Sequence, residues 1–427
     1  LLQKSETRPA PIMKRRCFFL VLFSLALAAA EEPRDLRLLT PERVAALPDS
    51  ERVGWTAYLD RSRGRALAER RLLAGECRAA GKQASQPAPN RSSEFEIDGD
   101  TPAEWFSKPE NRQLAGVLIS YQTPTGGWSK AVDYETGPRS PGTHWTSQKG
   151  EGWHYCGTID NRTTTEQIKF LAGVRTAAGD EAAGAAALKG IDYLLEAQYP
   201  NGGWPQVYPV ESGYHEAVTL NDNAMLHVME VLLDLVGGEE SYAFVDAERR
   251  AAARAAVDRG IAWLLAAQVR IDGNPTVWCA QHDPLDSAPV KARAKEPPSL
   301  SGGESAEMVK FLMRRGPVTP EVIASIGSAV KWFEGNRLDG LRKTKNEAGK
   351  TDYLPDPDSK EVYWARFYDL GTGKPIFPGA DDGVSYPTHT EMAAKNKVAY
   401  DFMTTRPRDL LEKELPRWKK RLEKERG

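Results

Sequence analysis

Cysteine is scarce. Four occur in 427 residues, and the first, Cys17, lies in an N-terminal leader. Cys77, Cys156 and Cys279 remain, too few and too far apart for a disulfide framework or a Cys-x-x-Cys zinc site. One pair could be bridged in an oxidising compartment, and the spacing leaves open which. Six histidines, among them His144, His154 and His282, form no His-x-x-x-His pair, so a zinc centre is not expected. Long apolar runs are missing except in "MKRRCFFLVLFSLALAAAEE", which begins at Met13. Three basic residues, a short apolar stretch and small residues up to Ala30 make a secretory signal peptide, too short for an anchor. Residues 1–12 precede its methionine and read as translated leader. The chain is therefore expected to be secreted, extracellular or periplasmic, with no membrane partner. A basic excess is missing too: without residues 1–30, 52 basic residues face 58 acidic ones. That balance argues against nucleic acid, which wants a positive footprint.

What is present suits a soluble globular protein, with 41% hydrophobic and 27% charged residues. Residues 31–95 read as an N-terminal helical extension and a polar linker, opened by Thr40 and Pro41 as a cap and first-turn pair. Residues 96–427 read as one large domain. Within it one device recurs in "SYQTPTGGWSKAVD", "EAQYPNGGWPQVYP" and "AAQVRIDGNPTVWCAQHD". Each has a helix ending in glutamine, a turn with Gly or Pro, then tryptophan. Gln122, Gln198 and Gln268 are 76 and then 70 residues apart, a period that fits stacked helical hairpins. Alternating β-branched runs are scarce. The expected fold is all-α, an (α/α)3 toroid of helical hairpins with loop-rich, minor-β additions, including two short strands around 362–368. A charged helix closes the chain.

Polar groups gather at the helix starts between these turns. "TIDNRTTTEQ" places Asp160, Asn161 and Arg162 before one helix, and "TLNDNAM" places Asp222 before the next. "VKARAKEPPSLSGGES" carries Arg293 ahead of a third helix start at Ser301–Glu304, and "VYWARFYDL" carries Arg366 among aromatics. If all lie at one end of a toroid they form a charged site. Each also has a plainer reading. Asp160 and Asp222 could be helix N-caps, and Arg293 could pair with Glu296. Trp128, Trp204 and Trp278 could be wedges between helices as readily as sugar platforms.

The series "TIDNRTTTEQIKFLAGV", "AQYPNGGWPQVYP", "TLNDNAM", "ARAKEPPSLSGGES" and "ARFYDLGTGKPIF", in that order over residues 100–390, resembles family-10 polysaccharide lyases, secreted pectate lyases. The resemblance implies the same toroid and β-elimination in polygalacturonate with Ca2+ as cofactor. It assigns the metal to Asp160 and Asp222, the Brønsted base to Arg293 and substrate binding to Arg366. Asn161, Trp204 and Lys189 follow as further substrate contacts. A free guanidinium stays protonated at ordinary pH, so the resemblance implies an alkaline optimum, with Ca2+ and other cations in the site lowering the Arg293 pKa. The chain is expected to act as a monomer on polygalacturonate or pectate.

Two positions depart from the family pattern. Ala380 stands where an arginine is expected, and Lys295 stands where an aromatic is expected beside Arg293. Two other readings compete: a glycoside hydrolase using the two aspartates as acid and base, and a non-catalytic pectin-binding protein. Only a lyase makes an unsaturated, ultraviolet-absorbing product.

Overall fold

The computed structural model describes residues 36–91, 95–98, 101–147, 157–347, 349–398 and 400–426. The leader and signal peptide, His154 and Cys156 lie outside them. The helices are α1 (Pro41–Ala45), α2 (Asp49–Ala79), α3 (Ala103–Phe106), α4 (Pro109–Ser120), α5 (Thr165–Ala178), α6 (Glu181–Ala197), α7 (Ala224–Gly237), α8 (Ala247–Ala267), α9 (Glu304–Arg315), α10 (Pro320–Gly335), α11 (His389–Lys395), α12 (Arg406–Asp409) and α13 (Leu415–Arg426). The strands are short: β1 (Gly157–Thr158), β2 (Val207–Tyr208), β3 (Val218–Thr219), β4 (Arg270–Ile271), β5 (Asn274–Pro275), β6 (Gln281–His282), β7 (Leu300–Ser301), β8 (Leu341–Lys345), β9 (Thr351–Pro355), β10 (Trp364–Ala365), β11 (Phe367–Tyr368), β12 (Pro375–Pro378), β13 (Ser385–Tyr386) and β14 (Met403–Thr404). Among the described residues no helix is long and apolar enough to cross a membrane.

Three antiparallel hairpins, α5–α6, α7–α8 and α9–α10, make the toroid. Helices α5, α7 and α9 bury nearly every side chain of their first turns and form the inner layer. Helices α6, α8 and α10 are apolar on one face only and lie outside. The outer helices start with ordinary caps: Asp180, Asp246 and Thr319 accept the N–H of Ala183, Arg249 and Val322.

The glutamine turn is a clasp, which explains its repetition. The amide nitrogen of Gln122 donates to Gly126 O in its own turn and to Ala186 O on α6. Gln198 does the same to Gly202 O and to Ala256 O on α8, and Gln268 to Thr276 O and Ser325 O on α10. Each clasp thus ties one outer helix to the next. Glycine is required where the chain passes closest: Gly126 and Gly202 have φ of 115° and 100°, and a Cβ there would collide with the carbonyls of Lys189 and Arg259.

The tryptophans are wedges. Trp128, Trp204 and Trp278 have no exposed surface. Their indole N–H groups donate to Leu118 O, Leu194 O and Leu264 O at 2.8, 2.8 and 2.7 Å. Trp364, 1% exposed, makes the same bond to Phe333 O at 2.8 Å and closes the series as a fourth wedge. The expectation that Trp204 offers a sugar platform is corrected here, because a ring with no free face cannot stack on a ligand.

The N-terminal extension runs as a strap over this framework. Buried Glu216 accepts the backbone N–H of Arg37, Leu38 and Leu39, and Arg43 forks onto Asp283 at 2.8 and 3.1 Å. Along α2, Tyr58 Oη donates to Ala197 O, Arg65 pairs with Glu196, and buried Glu69 accepts from Thr125 N and Oγ1. One segment therefore touches the turns of all three repeats. The last third adds the four-stranded sheet β13–β12–β11–β7 and the β8–β9 and β10–β14 pairs.

Candidate active site

Each inner helix is entered through the same backbone bracket. Thr158, Thr219 and Ser301 donate their N–H to the carbonyls of Trp128, Trp204 and Trp278 at 2.9, 3.1 and 2.8 Å. The residues that follow, Ile159, Leu220 and Gly302, donate to the carbonyls of Gln206, Ala280 and Arg366. These six bonds put Asp160–Asn161, Asn221–Asp222 and Gly303–Glu304 in equivalent places, at one end of the toroid. An acid from each repeat is delivered to the same groove.

These turns are not built as caps. The start of α5 is satisfied by Thr164, whose N–H bonds Gln167 Oε1, while Asp160 accepts from Lys130 Nζ at 2.5 Å. Asp222 precedes the N-cap Asn223 and accepts, among the described residues, from Asn221 Nδ2 at 2.6 Å. The backbone is left-handed at Asn161, Arg162 and Thr164, with φ of 48°, 60° and 69°, and at Asp222 and Asn223, with φ of 50° and 61°. Such conformations cost energy outside glycine and persist where the surroundings impose them. Capping therefore does not account for Asp160 or Asp222.

The backbone brings the two acids together against their repulsion. The two short turns 160–162 and 221–223 touch. Withdrawal from water, then the charges of Asp160 and Glu304, hold the Asp222 carboxyl above its ordinary value, with Arg366 opposing. Arg366 Nη2 bonds Asn221 Oδ1 at 3.0 Å and Glu304 Oε1 at 3.1 Å. Asp222, Glu304 and Arg366 line one cavity of about 410 Å³ with Lys343, Tyr363 and Arg406. A larger cavity, about 560 Å³, opens elsewhere beside α5 and includes Arg162, Glu166 and Lys169.

Arg293 sits at the edge of this group. Its Nε and Nη2 fork onto Glu296 at 2.8 and 2.7 Å, the plainer pairing noted for it above. Tyr400 Oη also donates to Glu296, and the Tyr400 ring carries Lys295 at 4.3 Å, Arg366 at 4.7 Å and Arg293 at 5.9 Å from its centroid. Three cations thus gather around one aromatic ring. Without calcium in the groove, the Glu296 hydrogen bond outweighs burial and holds the Arg293 pKa above its ordinary value.

Lys189 is not brought to this group. Its ammonium donates to Thr123 O at 3.1 Å beside buried Glu69, under the strap, where burial lowers its pKa. Lys130, two residues past Trp128 in the first repeat, and Tyr400, which no motif marks, are not singled out by the sequence. Sequence reasoning treated Glu304 as part of a cap; its place three residues after a Ser that answers Thr158 and Thr219 was the available signal.

The donors fit a hard cation. Asp160 and Asp222 present carboxylate oxygens, and the buried Asn223 Oδ1 has no hydrogen-bond partner among the described residues. Among the described residues no three acid, His or Cys side chains close round one point. A cation held by the two aspartates would draw its remaining oxygens from substrate or water. Lys130 already places positive charge on Asp160, which shows the field of the site.

The profile of the pectic acid lyase family matches residues 122–411. A family 10 polysaccharide lyase from Cellvibrio cellulosa is similar in structure, with 31% identity and a TM-score of 0.62 over 74% of this chain and 97% of that one. A mutant of such a lyase from Cellvibrio cellulosa, in complex with trigalacturonic acid, gives 30% identity and a TM-score of 0.62 over 74% and 98%. No curated protein matches. A match over most of the chain, together with three bracketed helix starts that deliver acids to one groove, places this chain in the pectic acid lyase family, family 10 of the polysaccharide lyases.

Proposed function

We propose that the protein is a secreted pectate lyase that cleaves polygalacturonate by Ca2+-assisted β-elimination. The observation that carries this reading is the meeting of Asp160 and Asp222 from equivalent turns, with Arg366 across the groove. Two carboxylates held together against their own repulsion call for a cation.

Elimination takes the proton on C5, alpha to the C6 carboxylate, breaks the C4–O bond and leaves a C4–C5 double bond. The carboxylate opposes this, because its charge resists the negative charge that develops beside it. Calcium, when bound, supplies neutralisation of that carboxylate as a Lewis acid. Asp160 and Asp222 are the residues that would hold it. Arg366, anchored by Asn221 and Glu304, orients a uronate carboxylate through its guanidinium. Asn161, beside Asp160, is assigned to the same substrate.

Arg293 is the proposed base for the C5 proton. Paired with Glu296 it stays charged, so it becomes competent only when that pairing loosens and alkaline solvent takes a guanidinium proton. Tyr400 already bonds Glu296 and can keep that carboxylate as the arginine is released. This exchange supports an alkaline optimum.

The test is an absorbance assay on polygalacturonate across pH, with and without calcium. Calcium-dependent formation of an unsaturated product is expected. Reducing ends without that chromophore would make the protein a hydrolase, and binding without turnover would make it a pectin-binding protein. Full activity after exhaustive chelation would remove calcium from the mechanism.

A further inference from the structure

The cavity that holds Asp222 and Arg366 has a second wall, and its chemistry is not used by the steps above. It is formed by β8–β9 and by the segment 401–406, which contributes Asp401, Met403, Thr404, Thr405 and Arg406. At about 410 Å³ the cavity lies within the roughly 300–1,000 Å³ typical of ligand sites. It has room beyond the Asp222–Arg366 corner.

The cations on its walls differ in how they are matched. Arg366 pairs with Glu304 through Nη2 at 3.1 Å, and Lys343 faces Asp401 at 3.6 Å. Arg406 has no carboxylate partner among the described residues. Its Nη1 lies against Gly303, 3.8 Å from where a Cβ would stand, and so next to Glu304 at the start of α9. The backbone that carries this exposed arginine is firmly placed. Its N–H bonds Thr404 Oγ1 at 3.1 Å, and β14 pairs with β10, Ala365 opposite Met403. Arg366 N donates to Phe402 O at 2.8 Å, so the two segments that carry the guanidinium groups are tied to each other.

We infer that Arg406 forms a second carboxylate subsite, one that receives the acid group of a uronate neighbouring the one held by Arg366. The inference rests on the pectate reading for the class of ligand. A polyuronate carries one carboxylate on every sugar, so a chain seated at Arg366 brings another acid along the same cavity. An unmatched guanidinium, fixed to the same strand pair, supplies planar two-pronged recognition of such a group. A methyl ester at that sugar would remove the charge and weaken the contact, which makes Arg406 a specificity-determining residue. It touches no reacting atom.

The test compares the full-length wild type, Arg406→Gln and Arg406→Lys. With polygalacturonate and calcium, R406Q should raise KM about tenfold and leave kcat within about twofold, the loss of one charge-assisted contact. R406K should recover part of that loss. Preference for unesterified over highly methyl-esterified substrate should shrink in R406Q. Equilibrium binding of tri- and tetragalacturonate, with calcium, is measured in parallel on Arg293→Lys and on Arg293→Lys/Arg406→Gln, where turnover is expected to be slow. Weaker binding in the double variant supports the subsite. Equal affinity in both, or no binding by either, overturns it. A wild type that binds through Arg406 but forms no unsaturated product would overturn the lyase reading and leave the subsite standing.

Discussion

Glu216 holds the strap to the toroid, and its replacement by glutamine tests that role. The carboxylate has no exposed surface and accepts four backbone N–H groups: Arg37 and Gly213 at Oε1, at 2.7 and 2.9 Å, and Leu38 and Leu39 at Oε2, at 2.7 and 3.0 Å. Glutamine is nearly the same size but has one acceptor oxygen. Whichever way the amide turns, two N–H groups lose their partner and face an NH2 group. Hydrogen bonds to a charged group contribute about 1.5–3 kcal/mol each, so losing two costs about 3–6 kcal/mol. Urea unfolding of E216Q against wild type measures the loss, and hydrogen exchange locates it. The amides of 37–39 should lose protection, and a detached strap would show as an early transition with a small m-value. A loss under about 1 kcal/mol with those amides still protected would refute the reasoning.

Three further outcomes follow from the site and its scaffold. Asp222 has a raised folded-state pKa, so its contribution to the stability of calcium-free protein is present below the ordinary aspartate range and lost as pH rises through the raised value. D222N should therefore raise the calcium-free Tm near neutral pH, converge with wild type in acid, and lose calcium-induced stabilisation; a lowered neutral Tm would contradict this. Glu296→Gln replaces the charged, two-oxygen partner that raises the Arg293 pKa with a neutral one, so the alkaline rate limb should move to lower pH, and an unshifted pH–rate profile would take Arg293 out of the base role. Gly126→Ala forces a side chain into the Lys189 carbonyl at a φ of 115°, and denaturant unfolding should show a loss of about 3 kcal/mol or more.

The toroid was legible in the sequence where one geometry demanded the same residue types each time. A glutamine must reach two carbonyls and an indole must fill the wedge, so Gln and Trp recur in all three repeats, while the glycine that lets a neighbouring backbone pass recurs in the first two and gives way to Thr276 in the third. Trp364 escaped the series because the β8–β9 hairpin stands between it and α10. The pairing of Asp160 with Asp222 was legible because both lie in turns rich in Asp and Asn. Glu304 was obscured, since an acid in a first turn also reads as an ordinary helix start. Lys189 and Trp204 show the opposite error. Both lie next to a recognisable motif, but one faces the strap and the other faces the core. Nothing in a linear pattern says which way a long side chain turns, and Tyr400, gathering three cations from distant segments, leaves no local trace.

The bracket at each inner helix uses only main-chain groups, and this frees the side chains at its far edge. Positions 206, 280 and 366 occupy matching sockets, yet they hold an amide, a methyl and a guanidinium. Ala280 already borders a small cavity with Asn221, Glu296 and Arg366. A scaffold of this kind can reposition charge around its mouth by single-letter exchange, with no toll on the ladder that shapes it. Retuning which acidic polymers it admits is then a matter of redecorating a frame that stays the same.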